Sequence, residues 1–187
     1  MDLHANQIQG FFDIPVDNLF AAPTFVQHVK KNIKSKNLVC VAPDVGGVER
    51  ARAIAKRLSA DLAIIDKRRS GPGTSEVMNV IGDVRNKICV IIDDLVDSGG
   101  TIVNAASALK NKGAKDVYAY VVHGVLTGQA VKKINNSKIK KFVISNSIMN
   151  FKKIKKSKKF QIISVGTLFA EAIKRISISK SVSKLFK

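Results

Sequence analysis

The chain lacks several features that would place it in common classes. No apolar run approaches the roughly twenty residues that a helix needs to cross a bilayer. The opening Met1-Asp2-Leu3-His4 has neither the basic start nor the apolar stretch of a secretory leader, so a cytoplasmic protein with no membrane partner is expected. There are only two cysteines, Cys40 and Cys89, and no metal-ligand spacing around them, which excludes a disulfide framework. Each lies in a short apolar run, where a buried strand thiol is expected. No internal repeat is visible.

Acidic residues are also scarce: 14 Asp and Glu face 32 Lys and Arg, for a formal net charge of +18. Such a balance usually points to nucleic acid. Here the excess is mostly lysine, gathered at 138–141 and 151–159, without the interleaved aromatics that stack on bases. A solvated basic surface is expected, with no nucleic-acid partner. The charge also suits anionic small molecules.

What is present is enough for one α/β domain with a core: 187 residues, 45% of them hydrophobic. Short β-branched runs recur, each followed by a helical pattern. Strands are expected at 38–42, 62–66, 76–84, 87–92, 117–122, 141–145 and 160–165. Helices are expected at 48–58, 101–112 (closed by Gly113), 129–134 and 167–176, the last with a stripe of Leu168, Ala172 and Ile176. Strands alternating with helices imply a mostly parallel sheet with helices on its faces. The Ser- and Lys-rich end, 177–187, reads as a weakly ordered tail or partner-facing arm.

In such a sheet ligands gather beyond the carboxyl ends of the strands, and three loops fall there. The first follows the most apolar strand: Asp93-Asp94-Leu95-Val96-Asp97-Ser98-Gly99-Gly100-Thr101. Gly99 and Gly100 let the backbone turn N–H groups inward. Ser98 and Thr101 add hydroxyls, and the next helix adds the positive end of its dipole, a set that suits a phosphate monoester. Asp93 and Asp94 would repel phosphate but accept hydrogen bonds from vicinal hydroxyls, as on a ribose. A bare strand-to-helix turn explains three aspartates around Gly-Gly-Thr poorly.

The second loop is Pro43-Asp44-Val45-Gly46-Gly47. Its glycines allow close approach by a ligand, and Asp44 could hold Mg²⁺ directly or through water. An Asx-type turn accounts for the same residues equally well. The third, from Lys67 to Ser75, opens on Lys67-Arg68-Arg69 and is glycine-rich. It suits a lid that neutralises a transferring phosphoryl group, and a solvated basic loop is the equal alternative.

Together these loops resemble the C-terminal part of ribose-phosphate diphosphokinase, a family with the type I phosphoribosyltransferase-like fold. The likeness runs from Asp2 to about Phe186. It is strongest in the stretch from Asp2-Leu3-His4-Ala5-Asn6-Gln7 to Pro15-Val16-Asp17, in 43–47, in Ile64-Ile65-Asp66-Lys67-Arg68-Arg69 and in the Asp-Asp loop. The Asp-Asp-x-x-Asp-Ser-Gly-Gly-Thr run alone would indicate only the wider phosphoribosyltransferase group, and the opening residues discriminate for the synthetase.

The resemblance implies transfer of a diphosphoryl group from ATP to ribose 5-phosphate, with Mg²⁺ as cofactor. Lys67 and Arg69 would be catalytic. Asp93, Asp94, Asp97, Ser98, Gly99, Gly100 and Thr101 would hold ribose 5-phosphate. His4, Asp44, Gly46 and Gly47 would face ATP and pyrophosphate. Asp2, His4 and Asp44 would serve the metal, with Asp13 and Asp17 as lesser candidates. It further implies a homo-oligomer, or a partner supplying the family's N-terminal domain. Residues 1–30 would be a remnant of that domain with a linker, 31–176 the phosphoribosyltransferase-like domain and 177–187 the tail. Phe11, Phe12, Phe20 and Phe25 would then be left exposed.

Two local departures stand out. After Arg69 the loop reads Ser70-Gly71-Pro72, where the family carries a further basic residue and an asparagine. Ser145-Asn146-Ser147-Ile148 stands in place of Thr-Asp-Thr-Ile. A non-catalytic relative that binds ribose phosphates or docks on an intact synthetase is the alternative reading. A base-transferring phosphoribosyltransferase would have no use for Lys67, Arg69 and His4 together.

Overall fold

The computed structural model describes residues 1–68 and 77–186. Seven strands form one sheet: β1 Leu38–Ala42, β2 Asp61–Arg68, β3 Val77–Ile81, β4 Ile88–Val96, β5 Asp116–Gly124, β6 Lys141–Ser145 and β7 Phe160–Ile163. Their order is β3-β2-β1-β4-β5-β6-β7, parallel throughout except for β3, which runs antiparallel to β2. A mostly parallel sheet was the expectation, and β3 is its one antiparallel edge among the described residues. The strand expected at 76–84 ends at Ile81, where Gly82 takes a φ of 109°.

Helices cover both faces. On one, α1 Ala22–Asn32 and α2 Val48–Leu58 pack on the even-numbered side chains of β1, β4 and β5: Cys40, Val90, Ile92, Tyr120 and Val122. On the other, α3 Gly100–Asn111, α4 Ala130–Asn135 and the single turn α5 Phe151–Ile154 pack on Val39, Val41, Ile91, Val117 and Val121. The central strands are buried on both sides, so their near-continuous apolar runs follow from position rather than alternation. Both cysteines are fully buried there, and burial pushes each thiol up to about 12.

Capping follows local chemistry. α2 carries Glu49 in its first turn and Lys56 and Arg57 in its last, matching the helix dipole. Gly113, at φ 89°, closes α3: its N–H meets the Lys110 carbonyl and that of Ala114 the Leu109 carbonyl.

The N-terminal stretch departs from expectation. Helix α1 runs through residue 30, and its Phe25 is not left exposed but 1% accessible, edge-on to Tyr120 with ring centroids 5.4 Å apart. Phe11, Phe12 and Phe20 are exposed, as expected. At the other end, α6 Gly166–Ser177 buries Ala172, but Ile176 of the expected stripe stays exposed. Residues Val182–Phe186 are not a loose tail. They form a 3-10 helix whose Phe186 ring meets Phe20 at 5.6 Å and whose Phe186 carbonyl accepts from Arg57 Nη2.

Candidate functional site

β4 continues past the expected end at Ile92 to Val96, so Asp93 and Asp94 sit inside the strand near its carboxyl end. Asp94 is buried and Asp93 half-buried, and the finding that sequence reasoning missed is how they are held. Arg50, in the first turn of α2, places Nη2 2.7 Å from Asp94 Oδ2 and Nη1 3.6 Å from Asp93 Oδ1. The Asp94 N–H also donates to Asp93 Oδ1 at 2.9 Å. Burial first, and then the neighbouring Asp94 charge, raises Asp93 well above the ordinary carboxylate range, while the Asp94 N–H and Arg50 pull it back. The available signal for Arg50 was its place, three residues after Gly47 at the start of a helix leaving a candidate loop.

His4 joins the same pair: its Nδ1 lies 3.2 Å from Asp94 Oδ2 while its ring stays largely exposed. A strap carries it there. Asp2 is 4% exposed, its backbone at φ 40°, and its Oδ2 accepts the Ala21 N–H at 2.7 Å at the entrance to α1. His123, near the end of β5, bonds through Nε2 to the Met1 carbonyl at 3.0 Å. Burial raises the Asp2 carboxyl, opposed by the Ala21 hydrogen bond and then by Arg50. Asp2 thus ties the chain down, with both its carboxylate and its backbone used internally.

Asp44 shows the turn chemistry that sequence left open. Its Oδ1 accepts the Gly47 N–H at 3.0 Å, tightening the loop before α2. It still lies near enough to Asp93 to raise that residue's carboxyl. Gly46 and Gly47 sit against the Asp44 carboxylate, with a Cβ on either meeting Asp44 Oδ1 at 3.4 and 3.7 Å. No group of three His, Cys, Asp or Glu residues that could hold a metal comes together among the described residues. Asp13 and Asp17 are exposed, and no hydrogen bond or ion pair joins them to His4 or Asp44 among the described residues.

The turn from β4 into α3 rests on Gly99. Gly99 has φ 76°, where a side chain is strained, and a Cβ there would meet Ile134 Cδ1 and Cγ1 at 3.4 Å. This left-handed residue turns the chain from β4 into α3, a helix of twelve residues. The first N–H groups of such a helix have no partner within it and, with the dipole, form an anion-accepting end. Asp97 and Ser98 are exposed, while the Asp97 carbonyl accepts the Thr127 N–H at 3.1 Å.

Lys67 ends on this loop. From the carboxyl end of β2 its Nζ donates to Thr101 Oγ1 at 3.3 Å. Two loops separated by 34 residues therefore converge. Arg69 and residues 70–76, most of the lid expected from Lys67 to Ser75, lie outside the described residues. The assembled surface offers cations (Lys67, Arg50), helix N–H groups and a pair of carboxylate acceptors. It can grip an anion at one end and hydroxyls at the other.

Residues 70–187 match the family profile of the phosphoribosyl synthetase-associated domain. A ribose-phosphate pyrophosphokinase of Bradyrhizobium diazoefficiens is 54% identical over the whole of this chain and 59% of its own length. One from Brucella melitensis is 56% identical over the whole chain and 60% of its own length. The chain therefore spans about 60% of the length of the curated relatives it matches. Among solved structures, phosphoribosylpyrophosphate synthetase from Mycobacterium smegmatis superposes with a TM-score of 0.85 at 34% identity, over 95% of this chain and 57% of that one.

Proposed function

Since the chain belongs to the phosphoribosyl synthetase-associated domain family, we propose that it forms the ribose 5-phosphate side of a ribose-phosphate diphosphokinase site. The observation that carries this reading is the Lys67 Nζ to Thr101 Oγ1 contact of 3.3 Å. It puts a cation from the end of β2 beside the helix that would hold the sugar phosphate.

In the proposed reaction the 5-phosphate of ribose sits on the N–H groups and hydroxyls of Asp97 to Thr101. Asp93 and Asp94 accept the 2- and 3-hydroxyls. The ribose 1-hydroxyl oxygen bonds to the β-phosphorus of ATP as the bond from that phosphorus to the α-bridging oxygen breaks. AMP leaves with that oxygen, and the hydroxyl proton goes to solvent. Transfer of this kind needs positioning and charge neutralisation rather than a covalent intermediate. Lys67 supplies one positive charge near the transferred group, and Arg69 is assigned the same task from its place in the sequence.

Mg²⁺ suits the donors in part. Asp44 keeps one carboxylate oxygen beyond the one that holds Gly47, and His4 presents an exposed ring edge. Mg²⁺ tolerates few carboxylates and several waters. Asp44 would therefore hold it, with His4 near the nucleotide, and a bound ion would neutralise phosphate charge. Asp2 does not fit as a ligand, because its carboxylate is buried against the Ala21 N–H.

The ATP side needs further residues, in the same polypeptide or in a partner subunit. Exposed Phe11, Phe12 and Ile14 offer a surface for them.

The test is calorimetric titration of the chain with ribose 5-phosphate, followed by an assay for AMP release with and without the N-terminal portion of a relative. Binding of ribose 5-phosphate with AMP release in the combined sample is expected. Absence of binding would sink the proposal, and binding without AMP release in either sample would reduce it to a binding module.

A further inference from the structure

The last part of the chain is one-sided in charge. After Asp116 the only acidic side chain is Glu171, and that one is paired with Arg175 at 2.8 Å. Four of the lysines here find acceptors. Lys140 reaches Asp116 at 3.0 Å, Lys141 the Lys158 carbonyl at 2.9 Å, Lys153 the Leu126 carbonyl at 3.1 Å and Lys159 the Ser137 carbonyl at 2.6 Å.

The other lysines of this part have no such acceptor among the described residues, and three of them share one cavity. Lys132, Lys133 and Lys138 have no ion pair or side-chain hydrogen bond among the described residues, and all three line one open cavity of about 570 Å³ between α3 and α4. The amides of Gln129 and Asn136 line it too, also without side-chain partners among the described residues, and Val103 of α3 contributes to its wall. Ser107 and Ser137 complete the lining, each donating its hydroxyl proton to a carbonyl of its own segment, at 3.0 and 2.7 Å. Among the described residues no carboxylate and no aromatic ring lines the space.

We propose that this cavity is a second anion site, distinct from the loop at Asp97 to Thr101, that takes a compact polyphosphate. Three ammonium groups left without counter-charge around one concavity match a ligand with several charges close together. The absence of a stacking ring removes any base-reading role. The amides supply neutral donors for the remaining oxygens. Free inorganic polyphosphate and the triphosphate of a nucleotide share this chemistry.

The experiment uses the whole chain, labelled with ¹⁵N and titrated separately with tripolyphosphate and with ATP, with calorimetry for affinity. Tripolyphosphate should shift the amides of Val103, Ser107 and residues 129–138. If ATP shifts the same amides, a nucleotide is a source. If it does not, the ligand is free polyphosphate. The triple variant Lys132→Gln, Lys133→Gln, Lys138→Gln should weaken binding at least tenfold. A control with equal charge loss, Lys152→Gln, Lys155→Gln, Lys158→Gln, should change it less than threefold. Equal losses in the two variants, shifts confined to residues 97–101, or no binding at millimolar tripolyphosphate would each overturn the proposal.

Discussion

Arg50 Nη2 lies 2.7 Å from Asp94 Oδ2, and the same guanidinium reaches Asp93 Oδ1 at 3.6 Å. Two adjacent carboxylates near the end of β4 are thereby held together by one cation from the start of α2. Without it, a buried and a half-buried acid would face each other with only His4 and the Asp94 N–H to offset them.

Arg50→Met should therefore destabilise the fold by at least about 1–3 kcal/mol, the range for leaving a buried hydrogen-bonding group without its partner. Urea unfolding of wild type and variant measures it. A loss below about 0.5 kcal/mol would show that the pair is supported elsewhere. Adding Asp94→Asn to Arg50→Met should recover part of the loss, since the uncompensated charge is then gone.

Lys67→Ala should separate transfer from binding. Ribose 5-phosphate affinity should fall less than tenfold, because the helix N–H groups and the aspartate pair remain. AMP release by the chain combined with a relative's N-terminal portion should fall by about 10²–10³, the scale for removing one electrostatic stabiliser. Should ribose 5-phosphate binding collapse instead, Lys67 belongs to the sugar-phosphate cradle and not to the transferring group.

The two glycines of the loop should behave differently. Gly99→Ala places a side chain at φ 76° against Ile134 and should cost about 1–2 kcal/mol of stability. Gly100→Ala has room, its Cβ meeting only Ser98 Oγ at 3.8 Å, and should leave stability level or slightly higher. If a phosphate rests on this backbone, Gly100→Ala still weakens ribose 5-phosphate binding. Thermal melts and titrations of both variants decide it.

His28 should make stability depend on pH. Gln161 Nε2 donates to its Nε2 at 2.9 Å, which leaves the ring proton on Nδ1 for the Tyr120 hydroxyl at 2.8 Å. Burial, and then Lys31, holds His28 below its ordinary value. The unfolded chain thus takes up the proton first as pH falls past about 6.5, so stability is full above that point and declines below it. His28→Asn should flatten the decline between pH 7.5 and 5. An unchanged slope would mean that other groups set it.

Much of the fold was legible because strands buried on both faces and helices with one apolar stripe leave strong local patterns. β1, α2, β6 and the Gly113 stop to α3 lie where their residues place them. Helix α1 was not legible. Its first turn carries no acidic residue, and only the packed sheet shows that Phe25 belongs against Tyr120. The antiparallel direction of β3 likewise depends on which edge it joins, a long-range matter.

For the site, the chain's order of residues determined the loop itself: Gly-Gly-Thr after a strand, aspartates before it and a lysine at the end of another strand. Local backbone requirements and residue chemistry suffice for that. Only the tertiary structure decided who serves whom. It gave Asp2 to the Ala21 N–H, Asp44 to the Gly47 N–H, His4 and Arg50 to Asp94, and Lys67 to Thr101. Partners for a charge are set by distance and burial, and both come from how the strands align rather than from any spacing along the chain.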